Sequence, residues 1–457
     1  MKLGEMGRRA AGAGGLAWWG AAAVAVPIVL TLGGCEERRA SGQEALDETA
    51  PRDHTAPPQE AIADTTLQRM AAELQPELER RSGLEAKFRP RVALSDSATL
   101  LRYLHEQLDE QLPPEKALAI TAAYARLGLV PDTMDLRAAL IALLEEQVVG
   151  YYDARADTLF VRTHVDEKQL ETVLVHELVH ALQDQHFDLD SLMRAVSDDG
   201  DRSTAAEAAV EGHATLTMME WQLAQMTGSD ADVTALPDLG EQLRGIDLAA
   251  LGDGSLPALQ TAPRVIREAL IFPYIGGLGF TQRLWKERPG RPVPLGESIP
   301  MSTEQVLHWE AYADQPPDLP VAVDFTVSEP DAWEQIHTDN LGELGIRIFL
   351  AEHLGGEDLA MVAARGWGGD RFRLLRADGN EAFVWVIAWD DDASAATFAR
   401  AAEGAYAARY SEDGADRRVT VERADADGKP VVRILDMPAG VELPADWLPA
   451  RFRLTVP

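Results

Sequence analysis

The chain has 457 residues, enough for two or three cored domains, and its 46% hydrophobic and 26% charged make-up is that of a globular protein. Its 42 Lys and Arg stand against 75 Asp and Glu, a formal net charge of −33. That field repels phosphate backbones, which counts against nucleic-acid binding.

At the N-terminus Lys2, Arg8 and Arg9 precede an apolar run at 16–32, which ends in Leu32-Gly33-Gly34-Cys35. Basic residues, an apolar stretch and small residues before a cut are the parts of a secretory signal. The chain's single cysteine falls at the end of that segment. The segment resembles a bacterial lipobox. This implies removal of residues 1–34, lipidation of Cys35, and an exported protein anchored to the membrane at the cell envelope. An uncleaved anchor is the alternative, because about 17 apolar residues can just cross a bilayer.

Residues 35–66 are polar, proline-bearing and without apolar periodicity, as a flexible tether would be. From 67 to 147 the pattern is helical, with Leu, Ala and Ile at three- and four-residue spacings. Pro114 suits a first helical turn and Gly128 a helix end. At 148–162, "VVGYYDARADTLFVR", two β-branched and aromatic runs flank a polar turn and predict a β-hairpin.

Asp166 and Gln169 have capping-box spacing, so the next helix is expected to start near Glu167. A second start is expected at Ser203, with Gly228 closing that helix. Residues 229–262 read as irregular. A helical pattern resumes over 263–286, interrupted by "FPYIGGLG". After about residue 320 the order becomes strand, strand, helix, strand, strand, with Asp378-Gly379 and Asp427-Gly428 at the turns. This predicts a separate small α+β domain of unknown role over 321–457, with Trp385 and Trp389 either in its core, the favoured use, or on a surface for substrate or partner.

The helix expected from Glu167 carries "HELVH", His176 to His180. Positions four apart share a helix face, so both imidazoles can address one ion. Glu177 is offset by about 100° and falls beside that ion rather than on it. There it can take a proton from a water whose pKa zinc lowers to about 7. The residues around the motif are apolar, so its polar groups would be costly to bury without a metal. The chemistry implied is attack of zinc-activated water on a peptide carbonyl, with Glu177 as base and proton shuttle.

At this point the chain resembles the zincin metallopeptidases. The resemblance implies one zinc ion, a helical scaffold, a peptide or protein substrate, and an edge strand that pairs with substrate backbone. The hairpin at 148–162 is the candidate for that strand. The third ligand decides the subclass. His186 falls where metzincins keep theirs, but Gln183 replaces the glycine that would turn the chain inward. Gluzincins use a glutamate on a later helix. Val210-Glu211-Gly212-His213-Ala214 retains the E-G-x-A core of one such motif, N-E-G-F-A, and departs from it at the other two positions. Glu211 is the favoured ligand; Glu207, also readable as a capping-box partner of Thr204, and His186 are the rivals.

An oxyanion also needs a donor from another segment, for which Tyr274 and His308 are candidates. The hairpin, the His helix, the E-G-x-A stretch and "GWGGDRF" at 366–372 together resemble an uncharacterised group of exported bacterial zinc-peptidase-like proteins. The expected fold is α+β: a mainly helical zincin-like domain over 67–320 with a hairpin or edge strand, then the small α+β domain. The expected function is zinc-dependent peptide hydrolysis. An inactive zincin-fold binding lipoprotein and a non-peptidase zinc hydrolase are the alternatives.

Overall fold

The computed structural model describes residues 22–25, 64–163, 165, 167–244, 257–325, 327, 333–411, 416–441 and 452–455, the first and last stretches as backbone alone. Cys35 and most of the expected signal and tether lie outside them. In chain order the first elements are β1 (Ala22–Ala25), α1 (Asp64–Ser82), β2 (Arg91–Ser95), α2 (Ser97–Gln111), α3 (Pro114–Leu127) and α4 (Leu136–Gln147). Next come β3 (Gly150–Asp153), β4 (Thr158–Arg162), α5 (Glu167–Phe187), α6 (Leu189–Val196) and α7 (Gly200–Thr227). Then follow α8 (Leu239–Arg244), α9 (Pro257–Thr261), α10 (Arg264–Glu287), α11 (Thr303–Leu307) and α12 (Trp309–Ala313). The last group is β5 (Ala322–Phe325), β6 (Glu334–Asp339), α13 (Gly342–Leu354), α14 (Glu357–Ala364), β7 (Trp367–Ala377) and β8 (Asn380–Trp389), then α15 (Asp392–Arg409), β9 (Arg417–Ala426), β10 (Lys429–Pro438) and β11 (Phe452–Thr455). The fold is α+β.

Helix ends follow capping chemistry. Asp96 and Asp135 accept the free amides of Thr99 and Ala138 at the starts of α2 and α4. Pro114 opens α3, and Gly128 closes it in the left-handed region at φ 74°. In the hairpin, Tyr151 faces Phe160 and Tyr152 faces Leu159 across antiparallel strands. The two Asp-Gly turns join β7 to β8 and β9 to β10, with both residues of each at positive φ.

Several local expectations change. β2 interrupts the region read as wholly helical and pairs in parallel with β4. Helix α1 starts at Asp64, inside the expected tether. Helix α7 starts at Gly200 rather than Ser203, because the Asp199 side chain accepts the Arg202 amide and caps it there. Thr204 then lies inside the helix, where its hydroxyl donates to the Gly200 carbonyl, so Thr204 and Glu207 form no capping box. The irregular stretch 229–262 contains α8 and α9.

Helix α10 runs unbroken through "FPYIGGLG", with Pro273 inside it. Tertiary packing overrides the local signal here. A Cβ on Gly277 would overlap the carbonyl of Ala208, and one on Gly212 would overlap the backbone of Gly277. These glycines let α7 and α10 cross with their backbones in contact, and that crossing brings Tyr274 beside α5.

Strands order as β1-β3-β4-β2 in the first sheet and β6-β7-β8-β10-β9 in the second. The largest hydrophobic cluster does not stop at residue 320. It joins Ile120, Leu127 and Leu140 of α3 and α4 and Ile266 of α10 to Phe349, Phe372, Trp385 and Phe398. Trp385 and Trp389 are fully buried, as expected of core residues.

Candidate metal centre

Helix α5 presents His176, His180 and Gln183 at i, i+4 and i+7, on one face. Helix α7 crosses that face and lowers Glu211 onto it. His176 Nε2 lies 2.9 Å from His180 Nε2, and Glu211 Oε2 lies 3.2 and 3.4 Å from the two nitrogens. Ligands at about 2.0–2.1 Å from a tetrahedral zinc are separated by about 3.4 Å, so this triangle has nearly the right edge. All three residues are buried, and they form one of two groups of potential ligands among the described residues.

The electrostatics favour a cation at the centre of the triangle. Burial would raise the Glu211 carboxyl, but His180 and His176 hold it down to about 2, so it stays ionised. Burial lowers the His176 imidazole against the pull of Glu211. Burial also opposes protonation of His180, yet the Glu211 charge outweighs it and raises that imidazole. The two nitrogens and one carboxylate oxygen are a donor set suited to zinc.

A chain of hydrogen bonds fixes the orientation of His180. Gln183 Oε1 lies 2.8 Å from His180 Nδ1, while Gln183 Nε2 donates to the Val210 carbonyl at 2.9 Å and lies 3.0 Å from His213 Nδ1. His213 Nε2 lies 3.0 Å from the Ser82 carbonyl. Only one assignment satisfies every member. His213 Nε2–H donates to Ser82, the Gln183 amide donates to His213 Nδ1, and His180 Nδ1–H donates to Gln183 Oε1. Burial holds the His213 imidazole down to about 4, which keeps it neutral, as this assignment requires. His180 Nε2 is thereby left with its lone pair toward Glu211 and His176.

Glu177 is fully buried on the same helix. Strand β3 passes close by because Gly150 has no side chain. A Cβ there would lie 2.5 Å from Val173 Cγ1 and 3.5 Å from Glu177 Cγ. The strand also has a partner on its outer edge: β1 pairs with it antiparallel, Ala25 opposite Gly150 and Ala22 opposite Asp153.

Of the other residues singled out from the sequence, Tyr274 arrives at the site, with its ring centroid 6.2 Å from that of His176. His186 does not. Its Nε2 lies 2.7 Å from the Glu85 carbonyl, because α5 continues straight past Gln183. Glu207 is buried one turn before Glu211 but is not part of the triangle. His308 is engaged elsewhere, 2.9 Å from Glu343 Oε1 and 3.0 Å from Arg347. Sequence reasoning missed Gln183 and His213 as supports and Gly150 as the spacer. The i+7 position of Gln183 on the histidine face was the one available signal.

A family model described as a domain of unknown function (DUF8575) matches residues 331–436, from just before β6 into β10, outside the candidate centre. No curated protein and no solved structure matches the chain.

Proposed function

We propose that this chain is a zinc-dependent peptidase, exported and tethered to the membrane through Cys35, with a peptide or protein as substrate. The observation that carries the reading is the convergence of His176, His180 and Glu211 beside Glu177, under a strand edge that already holds an extended segment. A zinc ion held by those three side chains would supply a Lewis acid and a water acidified to a pKa of about 7.

The protein's own groups do the rest. The β3 backbone aligns an extended peptide by strand pairing, as it aligns Ala22–Ala25. The residue opposite Gly150 lies at a strand position beside Glu177. The Glu177 carboxylate takes the proton of the attacking water and passes it to the leaving amine. Tyr274, reaching in from α10, donates a hydrogen bond to the developing oxyanion. Gln183 keeps His180 in the tautomer that can bind metal. Removal of residues 1–34 would take β1 away and free the β3 edge for substrate.

Glu177→Gln tests the reading directly. Purified wild-type chain should hold one zinc by mass spectrometry and cleave members of a peptide library. The variant should keep the zinc while turnover falls by at least about 10²-fold, the low end for a general base. Metal-free wild-type protein, or unchanged turnover in the variant, would sink the proposal.

A further inference from the structure

We propose a second site, for a hard divalent cation of the calcium class, formed by Glu304, Asp318 and Asp390 where the helical body meets the C-terminal sheet. Glu304 comes from α11, Asp318 from the loop after α12, and Asp390 from the end of β8. One carboxylate oxygen of each lies within 4.8 Å of the others. Calcium–oxygen bonds of about 2.3–2.6 Å can span such a cluster, and an all-oxygen donor set suits a hard cation.

The acids alone would not argue for a ligand; Glu304 does. It is only 5% exposed, and among the described residues the charged groups acting on its carboxylate are other acids rather than donors. Each of the other buried acids nearby has at least one donor; Glu343, for one, accepts from Arg347. Asp201 accepts from the Thr303 amide and hydroxyl, and Asp339 from the Gly200 and Asn340 amides. Asp370 takes four donors, from the Leu341 and Gly342 amides and the Trp367 and Trp385 indoles. Glu304 is the exception, and it points at two further carboxylates.

Burial, then Glu343, Asp390 and Asp318, push the Glu304 carboxyl up to about 10. Among the described residues, the cation paired with this cluster is Lys429, whose Nζ lies 3.7 Å from Asp390 Oδ1. That ammonium matches Asp390, and without a further cation Glu304 stays protonated beside the other two acids. Gly368 keeps the space open: a Cβ there would lie 3.2 Å from Asp390 Oδ1 and 3.5 Å from the Ala388 carbonyl. The same seam carries the hydrogen bond from Val321 N to the Gly368 carbonyl, at 2.8 Å. A cation here would clamp the loop holding Asp318 against the start of β7, independently of the zinc reading.

Calorimetric titration of the zinc-loaded full chain with calcium chloride is the test. One calcium should bind per chain, and at 100 times the dissociation constant the unfolding midpoint should rise by roughly 5 °C. Glu304→Gln combined with Asp390→Asn should lose both effects and keep its zinc. The half-exposed Asp318→Asn should weaken calcium binding without harming the fold. Without calcium, Glu304→Gln should be at least as stable as wild type, because it replaces an acid held protonated by its neighbours with a neutral side chain of the same shape. The proposal is overturned by no uptake at about 10 mM calcium, beyond the range of weak calcium modules. It is equally overturned by uptake that the double variant and Asp318→Asn leave unchanged.

Discussion

Gln183 Oε1 sits 2.8 Å from His180 Nδ1, and the two donors of the same amide are taken by Val210 and His213. A residue that stands where metzincins keep a glycine thus supports an imidazole of the proposed zinc site. Gln183→Leu should preserve the fold and weaken zinc binding by about 10–100-fold, the usual cost of losing such a partner. Competition against a chromophoric chelator measures this. Wild-type affinity in the variant would show that His180 needs no such support.

Glu211 and His186 make opposite forecasts. Glu211→Ala removes a side chain 3.2 Å from His176 Nε2 and leaves two histidines facing each other. It should reduce zinc affinity more than Gln183→Leu does. His186→Ala loses only a contact to the Glu85 carbonyl and should bind zinc as wild type does. The reverse ranking in the same chelator assay would mean that α5 bends in solution to bring His186 inward.

These two residues show how much of the site was legible. The His176–Glu177–His180 spacing lies within one helical turn, so local geometry alone makes it readable. Glu211 was reachable through the E-G-x-A pattern, and the straight run of α5 past Gln183 bears out the reading that His186 has no turn to bring it back. The bond from Gln183 to His213 spans 30 positions and depends on how α5 meets α7, which no local pattern encodes. Glu304 and Asp390 are further apart still. In the fold, Asp-Gly turns and proline and glycine helix ends were readable because backbone chemistry sets them. The unbroken α10 was not, because neighbouring α7 decides it.

Gly277→Ala should expose that tertiary control. Helix propensity alone would favour alanine by about 1 kcal/mol. The added methyl would overlap the Ala208 carbonyl, and overpacking costs about 1–3 kcal/mol or more, so net destabilisation is expected. Urea denaturation should show an earlier midpoint at unchanged slope. A stabilised variant would mean that the two helices cross with more room than the structure gives them.

His337 sets a pH limit on stability. It is buried against Phe372, its Nε2 has no hydrogen-bond partner among the described residues, and burial, then Lys116, lower its imidazole to about 4 from 6.5. Above pH 6.5 the residue is neutral in both folded and unfolded chains and its contribution is fully present. Between 6.5 and 4 only the unfolded chain takes the proton, so stability falls as pH falls, by up to about 3 kcal/mol. His337→Leu should flatten that part of the melting-temperature profile. An unchanged acid limb would assign the loss to other groups.

The hydrophobic cluster that binds α3, α4 and α10 to the C-terminal sheet separates two ideas usually treated as one. Residues 331–436 are a unit of recognisable sequence, but their apolar face is completed by helices that lie outside it. Portability is therefore conditional. Wherever this segment recurs, something must stand in for those helices: a different upstream domain, a second chain or a remodelled face. What is inherited with the segment is a socket, and the helical body of this protein is one plug that fits it.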